Sequence, residues 1–99
     1  MATVYVSMGQ IGAKSANDIV MAWIGGTCRS ETITSSGTTA PGSLAARKGD
    51  VAMIRCATAV YATAAATPVA TATNGIYCPA GESIKIFMAE GHKIAVIDA

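Results

Sequence analysis

The chain has 99 residues and a formal net charge of +1, and only 13% of its residues are charged. This length corresponds to one domain covering residues 1–99. The low charge, together with 52% hydrophobic residues, excludes a disordered chain. A net charge of +1 provides no electrostatic footprint for nucleic acid, so we expect no nucleic-acid partner.

The longest uncharged stretch, from Cys56 to Gly81, is also the only candidate for a membrane segment. It consists mainly of alanine and threonine and contains Pro68 and Pro79. A membrane span needs about 20 strongly apolar residues, so we expect no membrane contact. The N-terminus lacks the basic start of a signal peptide, and we therefore expect synthesis in a cytoplasm.

In chain order, the first predicted strand is the alternating segment from Thr3 to Ser7. The polar residues from Ser15 to Asp18 predict a turn or a helix cap. The apolar run from Ile19 to Ile24 predicts a buried strand, with a short helix as the alternative. A further strand is predicted between Cys28 and Ser35.

The C-terminal half begins with a small and polar segment from Thr38 to Ala46. Arg47 to Asp50 is the one cluster of charges and predicts an exposed turn. Val51 to Thr63 is long and β-prone, and Ala64 to Ala72 predicts a loop around Pro68. The remaining predicted strands are short and end at turn residues: Ile76–Cys78, Ser83–Met88 and Ile94–Ile97.

Seven or eight short strands, spaced roughly 8–12 residues apart, are typical of one architecture. The sequence therefore predicts an all-β protein, a single β-sandwich or jelly-roll-like domain. Residues 1–30 are interpreted as an N-terminal arm and adapting region.

No motif for catalysis, cofactor binding or metal binding is found. Gly12 to Ser15 lacks the spacing of a phosphate-binding loop, because Ala13 separates the glycine from Lys14. His92, the only histidine, is predicted in an exposed turn, and no strained nucleophile motif accompanies it. We therefore expect no enzyme activity, no cofactor and no metal.

The three cysteines, Cys28, Cys56 and Cys78, include no closely spaced pair that would suit zinc. Three reduced cysteines that act as small core residues are the favoured interpretation. A Cys56–Cys78 bridge between adjacent strands remains the alternative.

Residues 31–98 resemble small virion proteins of tailed bacteriophages, of the capsid cement or decoration type. The similar segments include Glu31–Ala40, Arg55–Ala62, Ala66–Thr71, Ile76–Glu82 and Glu90–Ile97. Those proteins share a Pro-x-Ala-Thr loop, a Pro-Ala-Gly turn and a C-terminal strand. This chain differs at Ala65–Thr67, where a glycine is usual, and at His92, where an acidic or polar residue is common.

The resemblance implies a structural protein on the capsid surface of a virion, which stabilises the head by bridging major capsid subunits. It implies two partners, the major capsid protein and further copies of the chain, and we expect a homotrimer. The alternatives are a head–tail connector, neck or tail-fibre component, and a carbohydrate-binding module for host attachment.

Six residues are predicted to form the interface. Val4, Tyr5 and Val6 are predicted as an added strand of the N-terminal arm. Trp23 is predicted as an aromatic anchor, with a core position as the equal alternative. Arg47 and Lys48 are predicted to contact an acidic neighbour.

Overall fold

The computed structural model describes residues 3–15, 18–23 and 25–99, which form β-strands joined by turns and loops, with no helix. The ten strands, in chain order, are β1 (Thr3–Gly9), β2 (Ile11–Ser15), β3 (Asp18–Trp23), β4 (Arg29–Thr34), β5 (Ala40–Pro41), β6 (Val51–Cys56), β7 (Val60–Ala65), β8 (Ile76–Cys78), β9 (Ser83–Phe87) and β10 (Lys93–Asp98). The expectation of an all-β protein is therefore confirmed.

Eight of these strands form two antiparallel sheets of four. Sheet I has the order β4-β1-β6-β9, and sheet II has the order β5-β10-β7-β8. The remaining strands, β2 and β3, pair antiparallel with each other in a separate two-stranded sheet. In sheet I, Tyr5 lies opposite Thr32 on one side and Arg55 on the other, which fixes the register.

One hydrophobic cluster fills the space between the two sheets. Sheet I contributes Val6 and Ile54, and sheet II contributes Val60 and Val96, all of them fully buried. The alternation of each strand explains this arrangement, because every second side chain of a strand points to the same face. The other faces of both sheets carry mainly polar and half-exposed side chains.

The strand count exceeds the predicted seven or eight for a local reason. The segment from Val51 to Thr63 is not one strand but two, β6 and β7, which lie in different sheets. Strand β2 also forms over residues 11–15, for which no strand was predicted. The predicted loop from Ala64 begins two residues later, because β7 continues to Ala65.

The apolar run after Asp18 forms strand β3, which confirms the strand and corrects the helix alternative. Ile24, the last residue of that run, and residues 16 and 17 of the predicted turn or cap lie outside the described residues. Ile54 is buried and Arg55 is exposed in β6, and Ile86 is half-buried between the exposed Lys85 and Phe87 in β9.

Candidate interaction surfaces

Strand β1 occupies an inner position in sheet I. It pairs with β4 on one edge and with β6 on the other, so both of its rows of backbone groups are used within the chain. Val4 and Val6 point into the core and are fully buried. This placement differs from the predicted N-terminal arm, because an inner strand has no free edge to add to another sheet. Among the three predicted arm residues, Tyr5 alone faces outward, with 56% of its surface exposed.

Trp23 lies beside the end of β1 and is half-buried. A methyl group added at Gly9 would lie 3.1 Å from the indole ring of Trp23 and 2.9 Å from the sulfur of Cys28. Gly9 therefore permits the ring to pack closely over the β1 backbone. This contact favours a packing role for Trp23 within the chain.

Arg47 and Lys48 are exposed, as predicted. The turn that contains them is held in place by a buried residue, Asp50. Asp50 is buried and forms an ion pair with Arg29 of β4, and its carboxylate also accepts a hydrogen bond from the amide of Arg47 at 2.8 Å. The guanidinium of Arg29 additionally donates to the carbonyl of Ala45 at 2.9 Å. The prediction of a fully exposed turn is therefore wrong at Asp50, whose burial is compensated by these partners.

Two further carboxylates are committed to the fold. The carboxylate of Glu31 accepts hydrogen bonds from the amides of Ser43 and Leu44, and Asp98 accepts one from the hydroxyl of Ser35. A methyl group at Gly42 would lie 2.0 Å from a Glu31 oxygen, so the glycine makes this approach feasible. These carboxylates hold loops to strands.

His92 lies half-buried in the turn before β10. Its main chain accepts a hydrogen bond from the amide of Ala46 at 2.9 Å and donates one to the carbonyl of Ala89 at 3.0 Å. Within residues 3–15, 18–23 and 25–99, no group of three or more His, Cys, Asp or Glu side chains could hold a metal ion. No helix in the described part of the chain has the length and hydrophobicity that a membrane crossing requires.

Cys56 and Cys78 are both buried thiols, and their sulfur atoms lie 3.2 Å apart. They belong to β6 of sheet I and β8 of sheet II, so the contact joins the two sheets and not adjacent strands of one sheet. Burial raises the pKa of Cys78 to about 12, and the hydrogen bond from Cys56 acts in the same direction. Both sulfurs therefore act as small core groups in this state.

The aromatic side chains are divided between opposite faces of the molecule. Tyr5 and Phe87 lie on the outer face of sheet I, where Phe87 is 86% exposed. Tyr61 and Tyr77 lie opposite each other on sheet II, with ring centroids 5.5 Å apart and ring planes at 56°. The aromatic residues thus do not converge on one groove.

The edges of the two sheets differ in length and in proline content. Sheet II ends in β5, which has two residues and includes Pro41, and in β8, which has three residues and precedes Pro79. Sheet I ends in β4, with six residues, and β9, with five, and neither contains proline. Short edges with proline resist the pairing of further strands, so sheet I has the more open edges.

A groove of about 300 Å³ runs beside β4, between the edges of the two sheets. Its walls come from β4 and from the segment that contains β5. The lining residues are Glu31, Thr32, Ile33, Thr34, Ala40, Pro41, Gly42 and Ser43. Because of this groove, the surface beside the edge strand β4 is concave.

The sequence analysis did not select Phe87 for the interface, although the structure exposes its side chain. The open edges of β4 and β9 were also missed, because the local alternation of hydrophobic and polar residues does not predict the order of strands in a sheet. No known protein family matches the chain, and no curated protein or solved structure is significantly similar to it.

Proposed function

We propose that this chain is a structural virion protein of a tailed bacteriophage, a capsid cement or decoration protein that bridges major capsid subunits. The observation that carries the proposal is the combination of open sheet edges and exposed apolar side chains on a domain with few charges. Such surfaces suit contacts with other protein. The resemblance of residues 31–98 to cement and decoration proteins supports the same role.

We further propose that the two sheets form a jelly-roll-like sandwich. Eight strands divided into two sheets of four are the number that a jelly roll requires. The chain crosses between sheets at the connections β4–β5, β5–β6, β6–β7, β8–β9 and β9–β10. The single core shared by both sheets supports this packing. Jelly rolls are frequent in viral capsids, which agrees with the proposed location on the capsid surface.

The proposal does not include an enzyme activity. Asp50, Glu31 and Asp98 are engaged by Arg29, by backbone amides and by Ser35, respectively. A general acid or base must reach its substrate, and these carboxylates are instead used to hold loops in place. Their use supports a structural role.

A carbohydrate-binding module for host attachment is the second candidate, and the Tyr61–Tyr77 pair is the observation in its favour. However, the two rings are tilted by 56° and do not form a flat platform. Tyr5 and Phe87 lie on the other sheet and cannot extend that surface. Saturable binding of host polysaccharide that is lost in a Tyr77→Ala variant would favour this candidate.

The test is the addition of purified protein to phage heads that lack their decoration protein. We expect saturable binding of on the order of hundreds of copies per head, because cement contacts repeat over the whole shell. We also expect decorated heads to release DNA at a higher temperature than bare heads. A stoichiometry of about six or twelve copies would indicate the neck or connector instead. Absence of binding to heads of the phage that encodes the chain would contradict both roles.

A further inference from the structure

We propose that copies of this chain associate head to tail, with β9 of one copy pairing antiparallel with β4 of the next. The inference rests on the proposed function in one respect, because it identifies the strands through which a shell-bound protein would contact its own neighbours. Three features of sheet I support it: the open edges, the orientation of the side chains at those edges, and the groove beside β4.

The direction of the strands permits this repetition. Every pairing in sheet I is antiparallel, and three pairings separate β4 from β9. The two edge strands therefore run in opposite directions. A second copy placed beside the first in the same orientation brings its β4 antiparallel to β9, so the sheet continues without a change of pattern. Such an interface is heterologous and generates a ring when the rotation closes.

The pleat selects one register. Side chains that face the core must pair with side chains that face the core, because a shift of one residue would reverse every side chain. Only the register with Lys85 opposite Thr32 meets this condition and keeps all five residues of β9 within the six residues of β4. The resulting pairs are Ser83 with Thr34, Ile84 with Ile33, Lys85 with Thr32, Ile86 with Glu31, and Phe87 with Ser30.

The side chains at the two edges are complementary. Ile84 and Ile86 lie on the core side of β9 and are only half-buried, because no strand follows β9 in the sheet. In the proposed register they project over the groove beside β4, whose apolar walls include Ile33, Ala40 and Pro41. The carboxylate of Glu31, opposite Ile86, is already engaged by two backbone amides. The junction would therefore extend the core from one copy to the next.

The alternatives that use a twofold axis are less favourable. Pairing of β9 with a second β9 centred on Lys85, its middle residue, places two lysines directly opposite each other, which is destabilising. Pairing of β4 with a second β4 leaves Ile84 and Ile86 uncovered. The head-to-tail arrangement avoids the charge repulsion and covers both isoleucines.

The test combines sedimentation with a directed disulfide. Unchanged protein should sediment as an oligomer at about 1 mM. Thr32→Cys and Lys85→Cys variants, both at exposed positions, are purified separately, mixed and oxidised. Directly opposite residues of antiparallel strands lie close enough for a disulfide. We expect the mixture to give at least about tenfold more 32–85 linked dimer than a mixture of Thr32→Cys with Thr58→Cys, where Thr58 lies in an exposed turn.

Peptide mapping of the linked dimer separates the new bond from any bond through Cys28, which is exposed in the unchanged protein. The proposal is overturned if the unchanged protein is monomeric at about 1 mM. It is also overturned if Thr32→Cys alone forms linked dimers as efficiently as the mixture, because that result indicates β4–β4 pairing. Neither result bears on the binding of the protein to phage heads, so failure here is distinguishable from failure of the proposed function.

Discussion

Asp50 illustrates at the residue scale what a local pattern cannot predict. The sequence Arg47-Lys48-Gly49-Asp50 is correctly identified as a turn, and Gly49 adopts the positive φ of 84° that such a turn requires. The partner of Asp50, however, is Arg29, which lies 21 residues earlier in the chain. Because the pair forms only after β4 and β6 enter the same sheet, the burial of Asp50 is a property of the fold and not of the turn.

Replacement of this carboxylate should therefore destabilise the protein. We expect Asp50→Asn to reduce the free energy of unfolding by about 2 kcal/mol, since a charged hydrogen-bond partner of Arg29 is lost. Lys48→Ala, in the same turn but exposed, should change it by less than about 0.5 kcal/mol. Urea denaturation of the three proteins measures both effects, and equal stability of Asp50→Asn and the unchanged protein would contradict the structural role of the pair.

The raised pKa of Cys78 predicts a dependence of stability on pH. Its folded-state pKa of about 12 lies above its ordinary value of 9.0, because burial disfavours the thiolate. The unfolded chain therefore loses this proton first as the pH rises. The contribution is fully present below pH 9 and is lost between about pH 9 and 12, by up to about 1.4 kcal/mol per pH unit.

Other groups titrate in the same range, so the measurement is a comparison of variants. Urea denaturation between pH 8 and 11 should show a steeper loss of stability in the unchanged protein than in Cys78→Ala. A Thr58→Ala variant, changed in an exposed turn, serves as the control and should follow the unchanged protein. Parallel pH profiles for Cys78→Ala and the unchanged protein would refute the argument.

At the scale of elements, alternation predicts which side chains share a face but not where a strand lies in a sheet. The segment from Thr3 to Ser7 was correctly identified as a strand. Its short alternating pattern suits an edge strand as well as an inner one, and only the pairing with both β4 and β6 identifies it as inner. Similarly, residues 57–59, between β6 and β7, include no strong turn residue, so the segment from Val51 to Thr63 was predicted as β-prone without a turn inside it.

The inner position of β1 makes opposite predictions for two neighbouring residues. Val6→Ala should reduce the free energy of unfolding by about 2 kcal/mol, because it removes buried methyl groups and leaves a cavity. Tyr5→Thr should change it by less than about 0.5 kcal/mol, since Tyr5 faces outward and threonine suits a strand. Thermal or urea denaturation compares the two variants. An N-terminal arm outside the fold would instead leave both variants as stable as the unchanged protein.

At the scale of the whole molecule, the two sheets differ in the lengths of their edge strands and in the prolines beside them. Sheet II has short edges, with Pro41 in β5 and Pro79 directly after β8, and sheet I has two longer edges without proline. The sequence predicted an all-β domain, because hydrophobic alternation and turn residues are local signals. The order of strands and the difference between the two pairs of edges arise from long-range pairing, for which a single sequence carries no direct signal.

The proposed contact between copies predicts how the oligomeric state depends on salt concentration. The proposed β9–β4 junction places no two charged side chains opposite each other, because Lys85 lies opposite Thr32 and Glu31 lies opposite Ile86, and the net charge of the chain is only +1. Raising the sodium chloride concentration from about 50 to 500 mM, which shortens the screening length severalfold, should therefore leave the sedimentation coefficient of the oligomer unchanged. Dissociation at high salt would show that ion pairs between copies hold the assembly together.

The placement of the cysteines has a further consequence for the dynamics of the molecule. Cys56 and Cys78 are shielded only while the two sheets face each other, whereas Cys28 is exposed on the surface. Alkylation of the two shielded thiols must therefore wait for an opening of the protein, and the same reagent meets Cys28 without delay. The alkylation rate of Cys56 and Cys78 therefore reports how often the two sheets separate. The alkylation rate of Cys28 in the same sample serves as the reference for the reactivity of the reagent.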